Sequence, residues 1–81
     1  MKKLYSGLMR QVKSNHDRLT RFPMAGRFEA PEEGERFYFS NVHEWISTSA
    51  VKNIMWDLNK GVLRIYTLNS IYEIEDVQEV K

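Results

Sequence analysis

The stretch "LRIYTLNSIYEIEDV", residues 63–77, sets the tightest limit on the fold. Two strand-like runs meet at Asn69-Ser70 with no other spacer. So short a connection joins antiparallel neighbours, because parallel strands need a long crossover. In "VLRIYTL", Leu63 and Ile65 point one way, while Val62, Tyr66 and Leu68 point the other. In "IYEIE", Tyr72 and Ile74 share a side opposite Ile71, Glu73 and Glu75. Asn69 tolerates left-handed φ, so a two-residue turn with positive φ at Asn69 is expected. Tyr66 and Tyr72 then fall near each other across the ladder. Upstream, "NKG" (59–61) offers a three-residue turn with glycine where positive φ is wanted. In "AVKNIMWDL", Ala50, Ile54, Trp56 and Leu58 share a side, with Lys52 intruding. Residues 50–75 therefore read as an antiparallel meander of three strands, with Trp56 and Ile65 buried.

The N-terminal segment follows a different period. At about 100° per residue, Leu4, Tyr5, Leu8, Met9, Val12 and Leu19 fall within an arc of about 140°. Lys2, Lys3, Arg10, Lys13, Arg18 and Arg21 take the remaining face. Gly7 costs about 1 kcal/mol against alanine in a helix, and Ser14-Asn15 is a weak point where it can bend. Pro23 disfavours a helical Phe22, so the helix stops by there. The spacing predicts a basic amphipathic helix over 1–22 and a proline- and glycine-bearing loop or irregular hairpin over 23–35. A β-rich body follows over 36–81, beginning with the aromatic strand "RFYFS". "NVHEWISTS" is ambiguous. Asn41 can cap a short helical turn, with Glu44 three residues on, and "EWIST" can equally be a strand.

At 81 residues the chain is read as one domain. The expected fold is α+β. A basic N-terminal helix packs on an antiparallel sheet of four or five strands that can curl toward a small barrel. The chain has no cysteine, which removes disulfides and thiolate zinc sites and fits a reducing cytosol. No run approaches the roughly 18 apolar residues of a membrane span. Arg10 interrupts the start before a signal-peptide core can form.

Charge is unevenly spread. Residues 1–27 carry seven bases and one acid, a net of +6, and residues 28–81 a net of −5. Either the two halves attract and pack on each other, or the basic arm meets a polyanion. The candidate contact residues are Lys3, Arg10, Lys13, Arg18 and Arg21. Arg36-Phe37-Tyr38-Phe39 and Arg64-Ile65-Tyr66 interleave arginine with aromatics as stacking platforms do, although a small domain also needs its aromatics for the core. The RNA-recognition sheet signature is absent.

No phosphate-binding, dinucleotide, zinc-protease or serine-hydrolase motif is found. His16-Asp17 and His43-Glu44 each pair a histidine with an acid. Adjacent residues diverge on helices and strands alike, so neither dipeptide makes a site by itself. "STS" (47–49) supplies hydroxyls without an activating base and suits hydrogen bonding at a strand edge or turn. Glu32, Glu33 and Glu35 sit in a glycine-containing loop and read as solvated. No catalytic residue, cofactor or metal ligand is assigned.

"WISTSAVKNI" followed by "GVLRIYTLNSIYEIEDV", residues 45–77, resembles a theme in small accessory proteins of tailed phages and mobile elements. A Thr-Ser segment, a strand and a T-x-N-S-x-Y hairpin recur there. The resemblance implies a compact β-rich protein, often acting by binding a host component. It transfers no catalytic residue. The expected function is a non-enzymatic interaction protein that binds and inhibits or modulates a host protein in the bacterial cytoplasm. The alternative is an RNA- or DNA-binding inhibitor that uses the basic helix. A homodimer is a further possibility, since a short sheet often completes itself across a two-fold.

Overall fold

The computed structural model describes residues 3–14 and 23–80. Six strands follow in chain order: β1 (Leu4–Ser14), β2 (Met24–Glu29), β3 (Arg36–Ser40), β4 (Trp45–Asp57), β5 (Val62–Thr67) and β6 (Ser70–Glu79). Each pairs antiparallel with the next, and β1 pairs with β6 to close a barrel. Among the described residues there is no helix. The expected α+β arrangement is thus corrected to an all-β closed barrel.

The largest correction is at the N-terminus. Of the apolar positions that suggested a helix, Leu4, Tyr5, Leu8, Met9 and Val12 divide between the two faces of β1, and Leu19, with the rest of 15–22, lies outside the described residues. Met9 is fully buried and Tyr5 packs against the core, while Leu4 and Val12 are exposed. The strand wins because β1 ladders to β2 on one side and β6 on the other. Without it the sheet would keep two open edges. Helical periodicity is a weak prior that such pairing overrides. Gly7 also belongs to this geometry. A Cβ there would stand 2.5 Å from Ile74 Cγ2 and 2.9 Å from the Glu75 carbonyl oxygen.

Of the two readings of 23–35, the continuous loop is corrected: Met24–Glu29 is a strand, joined through residues 30–35 to antiparallel β3. Pro23 precedes β2 and Pro31 follows it, so both prolines flank a strand. Met24 and Phe28 of β2 are buried. The intervening Gly26 allows close packing against Phe39 of β3. At the β3–β4 turn, Asn41 Oδ1 accepts from the amides of His43 (2.8 Å) and Glu44 (3.0 Å). Asn41 N–H in turn donates to the Glu44 carbonyl at 2.9 Å. This is a side-chain-closed turn, and β4 starts directly after it.

The core is Phe-rich. Phe28, Phe37, Phe39, Leu63, Ile65 and Ile74 are all essentially inaccessible to solvent. Phe28 is its hub, with ring centroids 5.6 Å from Phe37, 5.9 Å from Phe39 and 5.7 Å from Tyr5. Ile65 is buried as expected; Trp56 is not. Trp56 lies 37% exposed, with its ring 5.4 Å from Tyr5.

The meander over 50–75 is present, with Gly61 at φ 66 in the "NKG" turn. The β5–β6 turn forms by a different device from the one expected. Asn69 does not have positive φ; among the described residues, Asp76 (φ 53) is the non-glycine residue that does. Thr67 Oγ1 instead accepts from the Ser70 amide at 3.1 Å and donates to the Ser70 carbonyl at 3.0 Å. Gln11 Nε2 then donates to Ser70 Oγ at 3.2 Å, tying β1 to the turn. Thr67→Val is expected to lower stability by about 1–2 kcal/mol, since both hydroxyl bonds disappear in a part-buried site. Asn69→Val should stay within about 0.5 kcal/mol. Thermal melts of the two variants check this, and the opposite ranking would return the turn to Asn69.

Candidate functional site

Two basic residues of the N-terminal segment, Lys3 and Arg10, meet the protein's own acids. Arg10 stands opposite Glu73 in the β1–β6 ladder, and its Nε lies 3.3 Å from Glu75 Oε1. Lys3 Nζ lies 3.7 Å from Glu79 Oε1. Next to them, Arg64 of β5 donates twice to Glu73 Oε2, from Nε at 3.1 Å and Nη2 at 2.6 Å. The side-chain bond to Glu73, and secondarily one to Tyr66, raises the Arg64 pKa above its ordinary value. Lys13 is on β1 near its end. Arg18 and Arg21 lie outside the described residues. The expected basic helical face is therefore not formed over the described residues: Lys3 precedes β1, and Arg10 and Lys13 lie on it. Part of the charge asymmetry of the sequence, Lys3 and Arg10 against Glu79 and Glu75, becomes pairing between the β1 region and β6. Such exposed pairs are individually weak, about 0–1 kcal/mol, but they favour this register over its slips.

Within "STS", the Thr48 hydroxyl has structural work. Thr48 is 5% exposed. Its Oγ1 accepts from the Phe37 amide at 3.1 Å and donates to the Ser49 carbonyl at 2.7 Å. The β3–β4 register shifts between Arg36 and Tyr38, and the hydroxyl stands in for the ladder acceptor lost there. His43 is exposed in the β3–β4 turn, where its amide bonds Asn41. Among the described residues, no group of three or more His, Cys, Asp or Glu could hold a metal ion.

Three exposed apolar side chains, Tyr38, Val42 and Trp45, lie on the outer face where β3 turns into β4, while Leu4, Val12, Met55, Leu58 and Leu68 are exposed elsewhere on the barrel. Strand alternation turns Phe37 and Phe39 inward and leaves Tyr38 outside. Tyr38 is 57% exposed and Trp45 is 65% exposed. Their rings lie 6.4 Å apart with a 39° tilt. Val42, at the adjoining turn, is 93% exposed. Sequence reading treated "RFYFS" as one aromatic block. Its strict alternation was the available signal that Tyr38 faces away from the phenylalanines.

This patch borders a seam in the barrel wall. β2 and β3 share a single register pair among the described residues, Arg27 with Ser40. Beyond it the strands part around a cleft of ≈ 450 Å³, with Phe28 and Phe37 among its lining residues. Arg27 and Arg36 line it with Glu29, Glu32 and Glu35, so its rim carries both signs. Glu32, Glu33 and Glu35 are exposed. Glu35 uses its carbonyl to accept from the Val51 amide at 2.8 Å. Among the described residues no helix is long and apolar enough to cross a membrane. Comparison of the chain with protein-family models, curated proteins and solved structures finds no match.

Proposed function

We propose that this chain is a non-enzymatic interaction protein, an accessory factor of the phage type that binds and modulates a host protein in the bacterial cytoplasm. The outer face of β3 and β4 is its contact surface. The observation that carries this reading is the exposed pair Tyr38 and Trp45, beside Val42. Aromatic anchors inside a polar rim of mixed charge are the usual anatomy of a protein–protein hot spot. The rim here has Arg27 and Arg36 with Glu29 and Glu35. A polyanion would meet those carboxylates. It would also find Arg10 and Lys3 already beside Glu75 and Glu79. Both points weigh against the nucleic-acid alternative.

The test is capture from host lysate, with and without nuclease, using the wild type and a Tyr38→Ala/Trp45→Ala variant. Recovery of a discrete protein after nuclease treatment, lost in the variant, is expected. Both side chains are exposed, so the variant should melt close to wild type. With the captured partner purified, its dissociation constant should rise roughly 30-fold or more, equivalent to about 2 kcal/mol. Nuclease-sensitive recovery, or binding indifferent to both substitutions, would reject this surface.

A further inference from the structure

The wall of the barrel parts between β2 and β3. β2 stays with β1 as far as Glu29 opposite Leu4, and β3 stays with β4 as far as Arg36 opposite Ala50. The two meet in one register pair among the described residues, Arg27 with Ser40, and beyond it the cleft of ≈ 450 Å³ opens as a wedge. Residues 15–22 run between Ser14 and Pro23, at the opposite ends of β1 and β2. Glu29 lies about 17 Å along β2 from Met24.

The backbone phase shows what this wedge presents. The Asn41 amide donates to the Glu44 carbonyl, the Phe37 amide donates to Thr48 Oγ1, and the Glu35 carbonyl accepts from the Val51 amide. Directions alternate along a strand, so these odd-numbered residues serve β4. Arg36, Tyr38 and Ser40 turn their N–H and C=O groups toward β2. Ser40 has Arg27 opposite it, whereas Tyr38 and Arg36 face the wedge, where β2 has drawn away. By the same alternation β2 turns Glu29 toward the wedge, and Pro31 after it has no N–H to offer. Phe28 and Phe37 line the cleft but are each 2% exposed, so little ring surface opens onto it. The cleft thus offers a strand edge and a charged rim, which suit a peptide backbone better than a small apolar molecule.

We infer that an extended segment of the partner protein fills this wedge as an added strand on β3, pairing its backbone with Tyr38 and Arg36. This rests on the reading of the chain as a protein-binding module and gives that reading a binding mode. Tyr38 joins the two features: its backbone faces the wedge, and its ring stands beside Trp45 on the outer face. Outward side chains of the added strand meet Arg36 on one lip and Glu29 on the other, with Arg27 at the closed end. Charges of both signs are therefore expected among them, rather than a uniformly acidic or basic segment.

Amide exchange of the full chain, followed by NMR with and without a peptide selected on the wild type from a random library, tests this. Exchange should slow roughly tenfold or more at Tyr38 and Arg36. Phe37 and Phe39, already directed at β4, should change little. N-methylating the peptide at every second residue should weaken binding roughly tenfold or more, with the intervening positions tolerated, because alternate N–H groups face β3. Peptides that leave exchange at Tyr38 and Arg36 unchanged overturn the inference. So does a loss on N-methylation with no period of two, or a library that yields no binder. Trp45 lies outside the wedge, so Trp45→Ala should release the host protein yet hold the peptide within about twofold. A host protein captured through Tyr38 and Trp45, with both amides still unprotected, leaves the proposed function standing and rejects the added strand. Protected amides with no host protein captured reject that function and support the strand-binding wedge.

Discussion

Phe39→Ala is expected to leave little folded protein at 25 °C. Phe39 is 0% exposed. It stacks on Phe28 at 5.9 Å and also packs against Gly26. Truncating a buried phenylalanine costs about 3–5 kcal/mol, because the cavity adds to the lost transfer energy. A chain of this length has a total stability of roughly 4–12 kcal/mol, so one such cavity removes much of it. Urea unfolding measures the loss directly. Trp56→Ala should be the milder change although tryptophan is larger, because Trp56 is already 37% exposed at the rim of the core. If Trp56→Ala proved the more damaging of the two, the core would be centred elsewhere.

Gly26→Ala is the second large effect, and the added group is a single methyl. A Cβ at Gly26 would overlap the Ser40 carbonyl oxygen and come within 2.7 Å of Phe39 Cε1. A backbone oxygen cannot swing aside as a side-chain tip can. Here it belongs to Ser40, the ladder partner of Arg27. Relief requires β3 to move away from β2 along a seam with little other pairing to hold it. Overpacking of this kind costs about 1–3 kcal/mol, so a fall in stability in that range is expected by urea unfolding. Amide exchange should rise first in β2 and β3. Gly34→Ala is the contrast for space, since a Cβ there meets nothing within 4 Å. Its φ of 87 still strains any side chain, so exchange should rise in the loop and not along the seam.

The C-terminal half of this fold was legible from short-range pattern. Leu63, Ile65 and Ile74 alternate with polar residues, and turns of two and three residues leave no topology but a meander. The turn chemistry was read less well. Asn69 drew the left-handed assignment because asparagine tolerates it, yet the Thr67 hydroxyl closes the turn with no positive φ there. The N-terminal strand was hidden for a physical reason. Its inward positions are Tyr5, Gly7, Met9 and Gln11, two of which are not apolar, so period two leaves almost no hydrophobic trace. Gly7 is small because Ile74 and Glu75 crowd it, and Gln11 is polar because it bonds Ser70. Both reasons lie in β6, far along the chain. The outward Leu4, Leu8 and Val12 then fill in a helical pattern by coincidence.

The candidate surface was half legible. The alternation in "RFYFS" implied an outward Tyr38. Trp45 could be placed beside it only once the Asn41 turn fixed the β3–β4 register. The basic residues were found correctly as a charge excess, but the sequence could not say that Glu75 and Glu79 would meet Arg10 and Lys3.

The central claim is that residues 4–14 form the strand that closes the barrel. Nuclear Overhauser contacts on the labelled protein test it most directly. Cross-strand contacts are predicted between Met9 and both Met24 and Ile74, the residues that β1 places on either side of it. Sequential amide contacts with i to i+3 connectivities over residues 4–14, and no contact from Met9 to Ile74, would contradict the account.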